Sequence, residues 1–386
     1  MTPQREIPFG RPWMTDDESR AVLDVLGGHI LTHGPQGKAF ESEFAGFMGP
    51  DALALSVSSC MAALHMAYLH FKIGSGDEVI VPAQTHTATA HAVEWTGARS
   101  VFVDCEPATG NLTAERIAAA ITPRTRAISV VHFLGIPCDM APIMALAQQH
   151  GLKVIEDCAI ALGSRWDGRH VGLFGDAGCF SFYPVKHITT GEGGMFVSRH
   201  QDVIDGVAKL RAFGVDRTHT ERSIPGMYDV PTLGLNYRMS ELQAAIGRAQ
   251  MRRIEENLQN RRARFEALAA RLRTLPNMRV LDAVTPAARN SHYCLGLVLE
   301  GPLRERRDDV IAKLNASGVG TSVYYPHPVP RLNYYQTKYG YDASAFQHAV
   351  SISDGSVALP VGWHVTADDI TYIGDRVEQV AKEIMA

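Results

Sequence analysis

Between Leu53 and Ser198 the chain repeats one pattern: a short apolar run, then a longer amphipathic stretch, then another apolar run. The strand-like runs are Leu53–Val57, Glu78–Pro82, Ser100–Asp104, Ala127–His132, Lys153–Asp157, Gly178–Tyr183 and Met195–Ser198. Helical patterns lie between several of them, at 60–71, 86–95, 114–121 and 140–150. A helix between two strands carries the chain back across the sheet, so the next strand starts in the same direction. The pattern therefore predicts an α/β fold, a mostly parallel, doubly wound sheet with helices on both faces. The last two runs have no helix between them, which permits an antiparallel pair there. Two helical patterns precede the first strand, at 15–27 and 37–48. Thr15 followed by Asp16, Asp17 and Glu18 is an N-cap with an acidic first turn.

The rhythm changes after Ser240. Ser240 to Leu275 is one long, charged, amphipathic pattern and reads as a connector between domains. Beyond it, Cys294–Leu299 and Gly320–Tyr325 resemble strands, with helices at 304–316 and 366–384. A length of 386 residues is long for one core. The expected division is a large α/β domain over residues 1–245 and a smaller α+β domain over residues 246–386.

Composition narrows the class. A hydrophobic content of 46% with 20% charged residues is that of an ordinary soluble globular protein. The net charge of −4, with both signs interspersed, gives no footprint for nucleic acid or a membrane surface. No apolar run reaches transmembrane length, and MTPQREIPFGRPWMTDDE lacks the apolar core of a signal peptide. The six cysteines, Cys60, Cys105, Cys138, Cys158, Cys179 and Cys294, are scattered without a CxxC. They read as reduced thiols of a cytoplasmic protein rather than as a metal site.

The chemistry concentrates in GCFSFYPVKHITTGEGGMFVS, Gly178 to Ser198. Of eight lysines, only Lys186 stands in a glycine-rich turn between two apolar runs. A lysine pressed against apolar surface has a lowered pKa and a nucleophilic amine, which a Schiff base with a carbonyl cofactor requires. Pyridoxal phosphate is the commonest such partner. Its pyridine nitrogen needs a carboxylate, and Asp157, closing the run KVIED, is the candidate; the competing reading is a cap on a following helix. Its phosphate needs backbone N–H groups at a helix start and hydroxyl donors. SVSSCMAALHMA offers Ser58, Ser59, Cys60 and Met61, or a plain serine cap, and Ser181 offers a further hydroxyl. His86, just past a strand end, could stack on the ring or stand as a surface histidine. No Walker motif and no GxGxxG follows a strand, which leaves a nucleotide cofactor without support.

Together these residues resemble the DegT/DnrJ/StrS sugar aminotransferases, a pyridoxal-phosphate family of fold type I. The resemblance runs from PFGRPWMTDDE to ALPVGWHVTADDI. Its most specific parts are GDEVIVP (76–82), VIEDCAIALGS (154–164), GDAGCFSFYPVKHITTGEGG (175–194) and GLNYRMSELQAAIG (234–247). It implies pyridoxal 5′-phosphate as cofactor, Lys186 as the Schiff-base lysine, Asp157 at the pyridine nitrogen and His86 as the stacking ring. It implies phosphate contacts from Cys60, Met61 and Ser181, and from Asn236 of a second subunit, hence a homodimer with shared sites. The implied reaction passes an amino group from glutamate or glutamine to a nucleotide-linked keto-deoxysugar or a keto-cyclitol. Substrate contacts are expected from loops 28–36, 214–232 and 324–336.

Three positions depart from the family pattern. Ile160 stands where Gln or His is usual, Met61 where Thr is usual, and Pro330 where a His is usual, with His327 nearby. Two other readings remain open at this point. One is a pyridoxal-dependent sugar dehydratase, since relatives with a similar HITT stretch carry His in place of the lysine. The other is a catalytically silent, pyridoxal-binding regulator.

Overall fold

The computed structural model describes residues 5–216, 224, 226–342 and 344–386. Seven strands form its main sheet: β1 (Leu53–Val57), β2 (Glu78–Pro82), β3 (Arg99–Val103), β4 (Thr125–Val131), β5 (Lys153–Asp157), β6 (Ala177–Ser181) and β7 (Gly194–Ser198). Their order across the sheet is β1-β7-β6-β5-β4-β2-β3. The pairs β2–β3, β2–β4, β4–β5 and β5–β6 are parallel. Only β7 runs against its neighbours, antiparallel to both β6 and β1. The connection from Phe182 to Gly193 is built of turns, so the chain reverses there instead of crossing over.

Both faces of the sheet are covered, and residue parity decides which side chain meets which cover. On β6, Phe180 packs with Phe182 against the helix Pro35–Met48: Phe44 to Phe180 and Phe40 to Phe182 are each 5.3 Å between ring centroids. Cys179 and Ser181 therefore take the opposite face. There Leu55, Val57, Ile155 and Cys179 share a core with Ala63, Leu64 and Ala67 of the helix Cys60–His70. Small alanines let that helix lie close to the sheet. Thr15 caps the helix Asp16–Leu26 as expected, with Glu18 returning a bond to Thr15 N at 2.7 Å.

The connector is two helices, Glu241–Met251 and Ile254–Leu272. The second helix joins two cores: its Leu258 packs with the Phe180 side of the sheet, while Phe265 and Leu268 enter a second core. That second core surrounds a three-stranded antiparallel sheet of Met278–Val280, Leu295–Leu299 and Ser356–Leu359. Ile7 also joins it, donating to Gly318 O and accepting from Gly320 N, both at 2.8 Å.

The expected strand Gly320–Tyr325 is not one. Only Ser322 bridges, to Ala358. Pro326 and Pro328 follow directly, and proline has no N–H to offer a ladder. The expected helix 304–316 breaks at Arg306 into Gly301–Glu305 and Arg307–Ala316. No helix among the described residues is long and apolar enough to cross a membrane. All six cysteines are free and buried.

Candidate active site

Open α/β sheets present their sites beyond the carboxyl ends of the parallel strands. Here the register brings three segments together at that edge. Val57 on β1 faces Gly194 on β7, and Gly194 faces Ser181 on β6. Gly194 is what permits the close approach: a Cβ there would lie 2.6 Å from Ser59 C and 2.7 Å from Cys60 N. Ser59 caps the helix Cys60–His70, its Oγ accepting from Ala62 N at 3.1 Å. The N–H groups of Cys60 and Met61 stand in the first turn, where no intrahelical acceptor exists, and no other acceptor meets them among the described residues. Two free amides at the positive end of a helix, with the Ser181 hydroxyl in the adjoining row, suit a phosphate. Met61 packs its side chain against the main core, so only its backbone is available.

Asp157 ends β5 and is 5% exposed. Its Oδ2 accepts from Thr89 Oγ1 at 2.7 Å, and its Oδ1 from Ala159 N at 3.0 Å, with the Cys60 thiol at 3.8 Å. The residues after it, 158–164, form turns, so there is no helix for it to cap. Among the described residues no cation pairs with it. A buried carboxylate without a counter-charge is costly, and a protonated ring nitrogen would supply that charge. The donor set therefore fits the pyridine that the sequence resemblance implies.

Lys186 lies in the turn after β6, its N–H donating to Tyr183 O at 2.9 Å. Its Nζ stands 5.2 Å from the centroid of the Tyr293 ring and has no hydrogen bond or ion pair among the described residues. Burial lowers its pKa, and the nearby Cys60, Asp157 and Cys294 partly offset that. His187 packs on the same Tyr293 ring, 5.8 Å between centroids. It is buried, and its Nε2–H donates to Ser291 O at 3.1 Å. Burial pushes its pKa far down, so the ring is neutral. The helix Ile254–Leu272 fixes both neighbours of the amine. Asn257 Nδ2 donates to His187 O at 2.5 Å, and Arg261 donates to Tyr293 O at 2.8 Å.

His86 is an N-cap, not a free surface histidine: its Nδ1 accepts from Ala88 N at 3.1 Å at the start of the helix Thr87–Glu94. Desolvation lowers its pKa, opposed by Asp157. One ring edge meets Tyr325 at 5.6 Å between centroids, and the residue remains exposed, which leaves room for a stacked ring. Tyr325 and Tyr293 are site residues that the motif reading did not single out. The tyrosine pair in TSVYYPHPVPRLNYY was the available signal for the first; nothing local marked the second.

The remaining expected residues fall as follows. Ile160 is 3% exposed and sits in the main core. Pro330 is buried in the short turn Val329–Arg331, whose Val329 N donates to Ala83 O at 2.9 Å. His327 is exposed and lines a groove with Arg304, Arg306 and Asp354. Asn236 is exposed; its backbone bridges Ala212, and its neighbour Tyr237 accepts from Ser58 N at 2.8 Å. Of the loop 214–232, residues 217–223 and 225 lie outside the described residues. His132, Glu156 and Cys158 gather ligand-type atoms within 4.8 Å, but Glu156 and His132 already spend theirs on protein partners. Glu156 accepts from His132 Nε2 and from three backbone N–H groups, while His132 Nδ1 accepts from Cys138 N.

Comparison with known proteins bears on this geometry. Residues 12–378 match the model of the DegT/DnrJ/EryC1/StrS aminotransferase family. A UDP-N-acetyl-3-dehydro-alpha-D-glucosamine 3-aminotransferase of Acidithiobacillus ferrooxidans is 41% identical over 82% of this chain and 81% of its own. A GDP-perosamine synthase of Caulobacter vibrioides is 40% identical over 75% of this chain and 77% of its own. Among solved structures, Spr1654 of Streptococcus pneumoniae in its PMP form superposes with a TM-score of 0.93 at 26% identity, covering 98% of this chain and 100% of that one. The same protein is also solved in a PLP form.

Proposed function

The chain belongs to the DegT/DnrJ/EryC1/StrS aminotransferase family, which uses pyridoxal 5′-phosphate, and we propose that it moves an amino group from glutamate to a nucleotide-linked keto-sugar. The observation that carries this is a desolvated Lys186 amine beside a buried Asp157 carboxylate, neither of which has an ion-pair partner among the described residues. The two relatives named above act, by their names, on GDP- and UDP-linked sugars, which supports a nucleotide-linked acceptor.

When bound, pyridoxal phosphate supplies the carbonyl that carries the amino group and the ring that draws electrons from the reacting carbon. In this reading Lys186 holds that carbonyl, and its lowered basicity lets the amine act as nucleophile and then as proton carrier. Asp157 keeps the proton on the ring nitrogen. The Cys60 and Met61 amides hold the phosphate, helped by the hydroxyls of Ser59 and Ser181. The His86 ring covers one face. A dehydratase of this kind would need a histidine at position 186, and His187 spends its N–H on Ser291 O.

Asn236 has no side-chain partner of its own among the described residues, and we assign it to the phosphate of a second copy. Exposed apolar side chains near it in the chain or across the Ala212 bridge, Leu233 and Phe213, support a covering subunit. Mixing Lys186→Ala chains with Asn236→Ala chains should then restore activity, because each mixed dimer holds one intact composite site. No recovery on mixing would assign Asn236 to its own chain. We further propose residues 1–245 and 246–386 as large and small domains and, from the six free thiols, a cytoplasmic location. The function itself is tested by a panel of nucleotide-linked keto-sugars with glutamate as donor. Glutamate alone should convert the bound cofactor from its aldehyde to its amine form, and one sugar class should convert it back. No conversion by glutamate would remove glutamate as the donor, and the same spectrum with glutamine would decide the alternative.

A further inference from the structure

Two buried hydroxyls lead to Asp157 and have no part in the function above. Thr89 Oγ1 lies 2.7 Å from Asp157 Oδ2, and Thr85 Oγ1 lies 2.7 Å from Thr89 Oγ1. Thr85 is 2% exposed and Thr89 fully buried. Each hydroxyl has one proton to give, and an ionised carboxylate only accepts. Thr89 therefore donates to Asp157, and Thr85 donates to Thr89, so the chain has one direction. Thr85 precedes the N-cap His86, and Thr89 is the third residue of the helix Thr87–Glu94. One turn of chain thus carries both the ring-stacking histidine and the hydroxyls. The other carboxylate oxygen takes Ala159 N and the Cys60 thiol.

We propose that Thr89, itself oriented by Thr85, is a positioning residue for Asp157: it fixes the carboxylate's rotamer and keeps it ionised, so that Asp157 holds the protonated ring nitrogen of pyridoxal phosphate. The proposal rests on the aminotransferase reading above. Packing alone gives no reason for these hydroxyls, since valine has nearly threonine's shape and burying a hydroxyl is costly unless it is bonded. Hydrogen bonds to the charged form favour that form.

The other groups that face Asp157 leave this role to Thr89. The thiols of Cys60, Cys158 and Cys179 and the phenols of Tyr68 and Tyr325 are all pushed up by burial and stay neutral around pH 7. Lys186 and His86 face it from the lysine turn and the Thr87–Glu94 helix, both with lowered pKa. Glu156, next to it on β5, is bound to the opposite side of the sheet.

The test uses the full chain stripped of cofactor and a probe that keeps the pyridine nitrogen and phosphate but has a methyl group in place of the aldehyde, so that it cannot bond Lys186. Thr89→Val should weaken probe binding roughly 10- to 100-fold, the range for a hydrogen bond to a charged group. Without that bond the charged carboxylate loses a donor that favours it, so the acid limb of the binding profile should move to higher pH. Thr89→Ser should restore both. Thr85→Val should move the limb the same way by less, with binding weakened about two- to five-fold, since it only polarises Thr89. Wild-type affinity and an unmoved acid limb in a folded Thr89→Val would overturn the proposal. Should that variant not fold, an unmoved limb in Thr85→Val overturns it, and a moved one supports it. Failure of the aminotransferase reading looks different: the unmutated chain would then bind neither the probe nor pyridoxal phosphate.

Discussion

Glu156 and Asp157 are neighbours on β5, both buried, and they point to opposite faces of one sheet. Glu156 is saturated. Its Oε1 accepts from Phe174 N at 2.8 Å and Gly175 N at 2.7 Å, and its Oε2 from Gly172 N at 2.7 Å and His132 Nε2 at 2.9 Å. Four donors and no open direction make it a staple for the 171–175 loop. Asp157 receives two close donors and a long thiol contact, and it faces Lys186 and His86. The same charge, one residue apart, is spent on structure on one face and left open for a ligand on the other.

This contrast predicts opposite phenotypes. Asp157→Ala should lose at least about a thousandfold in turnover, as expected when a charge that acts in the transition state is removed. Its thermal stability without cofactor should fall less than that of Glu156→Ala, because it strands one backbone N–H and the Thr89 hydroxyl but, among the described residues, no cation. Steady-state kinetics beside a melting curve checks both halves; near-native turnover would put Asp157 in the structural class with Glu156. Glu156→Ala should do the reverse. It strands three backbone N–H groups and a histidine in the interior, at a cost of about 3–5 kcal/mol. Denaturant unfolding reads that loss, and the folded fraction should still bind cofactor through Lys186.

A smaller effect follows from the loop that Glu156 staples. His170 is fully buried: its Nε2 accepts from Gly163 N at 2.9 Å, so its Nδ1–H donates to Val171 O at 2.7 Å. Burial drives its pKa down to about 3. In the unfolded chain histidine protonates near 6.5, so between those values the unfolded state holds the extra proton. The stability is complete above about pH 6.5 and is lost as pH falls toward 3, by about 2 kcal/mol at pH 5. Melting temperatures at pH 7.5 and 5 test it. The drop should shrink in His170→Gln, which has nothing to titrate, and an equal drop there would move the acid sensitivity elsewhere.

The two faces also differ in how well the sequence foretold them. The parallel sheet, the reversal at β7 and the helix start at Cys60 were legible, and Lys186 and Asp157 stood out as candidates, because each is written in contiguous residues and fixed periodicity. Thr89 was not, because its role appears only when the chain brings it across 68 positions to Asp157. Tyr293 and Asn257 were hidden for the same reason: Asn257 meets the lysine turn from the connector itself and Tyr293 from beyond it. The expected strand at Gly320–Tyr325 failed because apolar, β-branched composition there is overruled by the prolines that follow. The break in the connector was not legible because the charged amphipathic pattern continues across Arg252 and Arg253 while the backbone turns.

The account depends most on which amine bonds the cofactor. Borohydride reduction of the holoenzyme, followed by peptide mass mapping, answers that directly. The predicted result is one pyridoxyl adduct, on the peptide containing Lys186, absent in Lys186→Ala and present in Asp157→Ala. An adduct on any of the other seven lysines, or on none, would contradict the assignment of the site and the reaction built on it.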